Sequence, residues 1–110
     1  MIESKIELAD RKCKPCEGGT PPMSKKEAEA ILRKVKGWEG RQNKIRKVYR
    51  FKDFNESMKF VNKVADLAEE EGHHPEILIS WNKVTLTLMT HAIGGFSEND
   101  FILAAKIDEM

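Results

Sequence analysis

No charge of one sign dominates this chain. Across 110 residues, 19 Lys and Arg against 18 Asp and Glu leave a formal net charge of +1, so no global basic field exists to hold nucleic acid. No apolar run approaches the about 18 residues that a membrane-spanning helix needs. The opening segment, 1–10, lacks the apolar stretch of a secretory leader. Together these predict a cytoplasmic protein with neither membrane nor nucleic acid as partner. Cysteine is scarce: it occurs twice, as Cys13-Lys14-Pro15-Cys16, half a tetrahedral zinc site or a redox pair. The Gly18-Gly19-Thr20-Pro21-Pro22 that follows is loop chemistry, not the helix that a thioredoxin-like motif opens. The arm reads as a surface segment without catalytic role, with zinc shared between subunits as the alternative. There is no internal repeat and no low-complexity tract.

What remains, 40% apolar and 34% charged residues, describes an ordinary globular protein of one domain. Residues 1–22 read as an irregular arm and 23–110 as the domain. Ser24-Lys25-Lys26-Glu27 is a capping box, followed by Ala28, Ile31, Leu32 and Val35 at helical spacing up to Gly37. Trp38–Gly40 and Lys44–Phe51 predict two strands about a polar bend at 40–43; in the second, Ile45, Tyr49 and Phe51 share one alternation phase, which Val48 breaks. A long helix follows the caps offered by Asp53–Glu56. Phe60, Val61, Val64, Leu67 and Ala68 form its stripe, Met58 extends it, and Gly72 suits the position after its end. Two more strands and a last helix after Ser97–Asp100, with Phe101, Ala104, Ala105 and Asp108 on adjacent turns, complete the order. The expected fold is α+β: a four-stranded antiparallel sheet with helices on one face, β-β-α-β-β-α with an extra N-terminal helix.

Histidine is also rare, yet His73, His74 and His91 fall within 19 residues. Imidazole alone exchanges protons near neutral pH without perturbation, so the cluster is the candidate site. Glu76–Trp81 and Val84–His91 flank Asn82-Lys83. A tight turn there makes opposed residue numbers sum to 165, pairing Trp81 with Val84, Ile79 with Leu86 and Ile77 with Leu88, all apolar on one side. On the other side lie Glu76, Leu78, Ser80, Thr85, Thr87 and Met89, and His74 comes to face His91. His73 stands beside them at the helix end, where a cation is favoured, and Pro75 suits a strand's first residue. A metal centre is the competing reading, since histidine is the commonest ligand. Adjacent His73 and His74 diverge on extended chain, however, and no carboxylate stands at a familiar chelating offset.

Glu69, then His73-His74-Pro75, Trp81 six residues on, His91 ten beyond that and Asp100 nine further resemble the signature of the pterin-4a-carbinolamine dehydratases. Trp81-Asn82-Lys83-Val84, Thr90-His91, Gly94-Gly95 and Ser97-Glu98 fit as well, so the resemblance runs from about Ser24 to the C-terminus. It implies a four-stranded antiparallel sheet with helices on one face, homodimers or homotetramers, and loss of water from a 4a-hydroxytetrahydropterin to give a quinonoid dihydropterin, in pterin recycling. By the same resemblance His73 and His91 are the acid–base pair, and His74 binds and orients the pterin. Glu69 orients an imidazole, Trp81 and Thr90 line the substrate site, and no metal or organic cofactor is needed. Asp100 reads equally as part of a helix N-terminal box. Gly72 stands where animal relatives carry an acid, and Met89 where a small hydroxyl residue is common. The cysteine arm resembles that of microbial members; the transcription-factor partnership of animal members has no support in these residues. Two other functions stay open: a noncatalytic oligomeric partner protein, and an enzyme on a pterin of molybdenum-cofactor metabolism.

Overall fold

The computed structural model describes residues 24–41, 44–90 and 97–110. Its elements run α1 (Lys25–Leu32), β1 (Glu39–Arg41), β2 (Lys44–Arg50), α2 (Phe54–Glu71), β3 (Glu76–Ser80), β4 (Lys83–Leu88) and α3 (Glu98–Asp108). The expected α+β order is therefore present, the four strands forming one antiparallel sheet in the order β1-β2-β4-β3. The caps lie where the residues placed them. Ser24 Oγ accepts the Glu27 amide at 3.1 Å, and Glu27 reaches back to the Ser24 hydroxyl at 2.9 Å. Asp53 accepts the Glu56 amide at 2.9 Å, and Gly72, at φ +69°, closes α2 in the left-handed conformation that glycine adopts without steric cost. The arm with Cys13 and Cys16, Gly94-Gly95 and His91 lie outside the described residues. Among those described, no helix is long and apolar enough to cross a membrane.

One face of the sheet is covered. Ile45, Val84, Leu86 and Leu88 point inward and are fully buried, packed with Ala28, Ile31 and Val35 of the α1 segment, Val61 and Val64 of α2, and Phe101 to Ala105 and Ile107 of α3. Val48, which upset the alternation of β2, lies in the outward phase and is exposed; the strand keeps its period and simply carries one apolar residue on the open face. The last helix departs further from expectation. Asn99 through Ala105 and Ile107 are all buried, so α3 is enclosed on every side instead of presenting one stripe, as a helix without a polar face must be.

Asp108, which spacing puts on a turn adjacent to Ala104 and Ala105, anchors the end of α3. Its carboxylate accepts the Trp38 indole N–H at 3.2 Å, the Tyr49 hydroxyl at 2.7 Å and the Lys47 ammonium at 2.8 Å. Lys47 also donates to the Lys36 carbonyl at 3.1 Å. Its stem passes Gly37, where a Cβ would come within 2.9 Å of Lys47 Cε and where φ is +86°. Burial, and then the carboxylate of Asp108, push the Tyr49 phenol well above its ordinary value, so the fold holds it as a neutral donor.

Candidate active site

The hairpin geometry corrects one sequence expectation. Glu76 pairs with Thr87, Ile77 with Leu86, Leu78 with Thr85, Ile79 with Val84 and Ser80 with Lys83, so opposed numbers sum to 163 and the turn is Trp81-Asn82. The two-residue offset keeps every side chain on its expected face, because strand side chains alternate with period two, but it changes every partner. Trp81 does not face Val84. It sits in the turn at φ +52°, 66% exposed, a left-handed conformation that costs an L residue roughly 1–2 kcal/mol. The opposition of His74 and His91 rested on the other register and loses that support. Trp81 also stands at the far end of β3 from His73-His74, about 23–26 Å away at ~3.3 Å per residue.

The two adjacent histidines diverge. Gly72 turns the backbone out of α2, with Gly72 and His73 amides both donating to the Ala68 carbonyl at 2.9 and 3.3 Å. His73 is thereby tucked in, its side chain 12% exposed, and its Nε2 lies 2.7 Å from Asp100 Oδ1. His74 turns outward: 58% exposed, its Nε2 lies 3.0 Å from Oε1 of Glu69, one turn back on α2 and itself exposed. Glu69, expected beside an imidazole, lies against that of His74, in a contact that solvent makes weak.

Asp100 is the residue whose weight was understated by its sequence context. It is fully buried. As read from Ser97–Asp100, it serves the helix start, accepting the Ser97 amide on Oδ2 at 3.1 Å. It also underlies His73, 27 residues away. Thr90 Oγ1 lies 3.1 and 3.2 Å from its two oxygens and 2.7 Å from Ser97 Oγ. A carboxylate taken out of water is costly unless every lone pair finds a donor. Here an amide, a hydroxyl and an imidazole supply donors, and the N-terminus of α3 favours negative charge. Thr90, expected at the substrate, is buried with its hydroxyl turned to Asp100. The result is a part-buried imidazole braced by a buried carboxylate, next to an exposed imidazole.

The α+β fold thus sets a histidine on a buried carboxylate beside a second, exposed histidine, two groups that exchange protons near neutral pH. The family profile of pterin 4 alpha carbinolamine dehydratase matches residues 21–110. A protein of Nitrosomonas eutropha with the provisional name of pterin-4-alpha-carbinolamine dehydratase is 50% identical over 103 residues, covering 93% of this chain and 91% of its own. A namesake from Rubrobacter xylanophilus is 44% identical over 105 residues, covering 94% and 98%. Among solved structures, a transcriptional coactivator/pterin dehydratase from Brucella melitensis superposes with a TM-score of 0.77 at 32% identity, covering 80% of this chain and 96% of that one. A pterin dehydratase-like protein described as a RuBisCO assembly factor in the alpha-carboxysome gives 0.55 at 26% identity, covering 66% and 83%. The chain belongs to the pterin-4a-carbinolamine dehydratase family.

Proposed function

We propose that this chain dehydrates a 4a-hydroxytetrahydropterin by histidine acid–base catalysis, in pterin recycling in the cytoplasm. The observation that carries the reading is His73, held at 2.7 Å on the buried Asp100. In the reaction the hydroxyl on C4a departs as water, taking the C–O electron pair and a proton from an acid. A base removes the proton on N5, and the N–H pair becomes the C4a=N5 bond. Two imidazoles, one protonated and one neutral, meet both demands near neutral pH. His73 and His91 take these roles, and His74, steadied by Glu69, holds the ring. The chemistry calls on no metal or organic cofactor.

The working form is a homo-oligomer, dimer or tetramer. β3 ends the sheet and exposes Ile77 and Leu78, and an unpaired apolar edge gains from pairing with a second copy. Antiparallel pairing of two β3 strands about Leu78 brings Trp81 of one copy opposite Pro75 of the other. Trp81 then serves the pterin site of its neighbour, which reconciles its distance from His73 in its own chain with a role at the substrate.

The assay is direct: turnover of 4a-hydroxytetrahydropterin by purified His73→Ala, His91→Ala and the double variant. Each single variant should lose about 10²–10⁴-fold in kcat, the usual share of acid–base catalysis, and His74→Ala should chiefly raise KM. Wild-type kcat in the double variant would overturn the histidine roles, and absence of turnover by the parent chain would leave a noncatalytic partner role, of the kind named for the alpha-carboxysome RuBisCO assembly factor, as the better account. A preference for another reduced pterin would point to molybdenum-cofactor metabolism.

A further inference from the structure

We infer that Thr90 and Ser97 are positioning residues that act through Asp100 on His73, and that His73 exchanges its proton with substrate at Nδ1. The inference rests on the dehydratase reading for what is exchanged, but its geometry stands without it. A carboxylate only accepts hydrogen bonds, so every neighbour of Asp100 must donate. The Ser97 amide does so on Oδ2 at 3.1 Å. Thr90, with one hydroxyl proton and Asp100 oxygens at 3.1 and 3.2 Å, commits that proton to the carboxylate. Its oxygen is then left to accept the hydroxyl proton of Ser97 across 2.7 Å. The chain of donors therefore has one direction, from Ser97 through Thr90 to Asp100, and His73 meets the same carboxylate from the other side with Nε2–H at 2.7 Å.

Two consequences follow from that direction. Thr90 is 7% exposed and has no proton left to offer a ligand, so it braces the site instead of touching the pterin. His73 keeps its Nε2 proton whether the ring is neutral or charged, because releasing it would set a lone pair against a buried carboxylate. Only Nδ1 remains to gain or lose a proton. As an acid, the imidazolium gives its Nδ1 proton to the departing hydroxyl, which leaves as water with the C–O pair, and the ring remains as the Nε2–H tautomer. As a base, that same tautomer takes the N5 proton on the Nδ1 lone pair. Either way the ring starts or ends in the one tautomer that Asp100 enforces.

The test joins imidazole ¹⁵N NMR of the free protein to steady-state kinetics of Thr90→Val, Thr90→Ser and Ser97→Ala. In the parent chain the neutral His73 ring should carry its proton on Nε2, with Nδ1 unprotonated. Thr90→Val keeps shape and removes the donor. It should lower kcat about tenfold, the weight of one hydrogen bond to a charged group, with KM unchanged, and should speed solvent exchange of the Nε2 proton. Thr90→Ser should restore both, and Ser97→Ala should shift them in the direction of Thr90→Val by less. A parent ring protonated on Nδ1 overturns the inference, and so does a Thr90→Val variant whose KM rises while kcat holds, since that marks a substrate contact. Absence of dehydration by the parent chain would instead sink the reaction assigned above, while the tautomer and exchange measurements would still decide the positioning roles.

Discussion

Replacing Asp108 by Ala tests whether the end of α3 is pinned as the structure indicates. The carboxylate, with its side chain only 5% exposed, gathers three donors from two parts of the chain: Trp38 ahead of β1, and Lys47 and Tyr49 on β2. Its removal strands the indole and the phenol, while Lys47 keeps the Lys36 carbonyl. A buried donor left without a partner costs about 1–3 kcal/mol. Lys47, with its side chain 22% exposed, recovers part of its loss by turning to water, so its share is discounted toward the surface-pair value of under about 1 kcal/mol. The indole and phenol account for most of the rest, and the total is about 3–5 kcal/mol. Against a domain stability of roughly 5–15 kcal/mol, that is a large fraction. Urea denaturation should show the loss as a lower midpoint at an unchanged slope. Tyr49→Phe, which withdraws one donor and leaves two in place, should cost only about 1 kcal/mol. A loss below about 1 kcal/mol in Asp108→Ala would refute the reasoning and make the cluster a surface arrangement with no hold on the fold.

Three further outcomes follow from the same structure. Because the folded protein raises the Tyr49 phenol above its unfolded value of about 10, the neutral form contributes stability in full below that pH and progressively less as pH rises through it. Tyr49 is the one tyrosine of the chain, so phenolate absorbance should appear together with alkaline unfolding and not before it; phenolate absorbance in a still-folded protein would contradict this. Gly37→Ala, at φ +86° with a new Cβ 2.9 Å from Lys47 Cε, should destabilise by more than the ~1 kcal/mol that the same change gains at a compatible site, read as a fall in Tm. Leu78→Lys on the exposed face of β3 should weaken self-association in sedimentation experiments, since a charge on an edge strand opposes pairing with a second copy; an unchanged oligomer would move the interface elsewhere.

Much of this molecule is written locally. Ser24 with Glu27, Asp53, Gly72, and Ser97 with Asp100 mark helix ends because each bonds a backbone group within a few residues, and such contacts need no tertiary partner. The faces of β3 and β4 follow from alternation, and the spaced signature from Glu69 to Asp100 carried the family. Tertiary structure decided what periodicity leaves degenerate. A hairpin shifted by two residues keeps the same faces, so the pattern admitted sums of 163 and 165 alike. A bulky Trp81 in a left-handed turn position, where Gly or Asn is the usual choice, gave no local sign of which was right. Burial of α3 on every side depends on what surrounds it. The pairing of His73 with Asp100, the commitment of Thr90 to that carboxylate, and the gathering of Trp38, Lys47 and Tyr49 on Asp108 join residues 10 to 70 positions apart. Local propensity can say that such side chains are polar and lie on a given element; only the packed core, by excluding water from them, determines which one each must find.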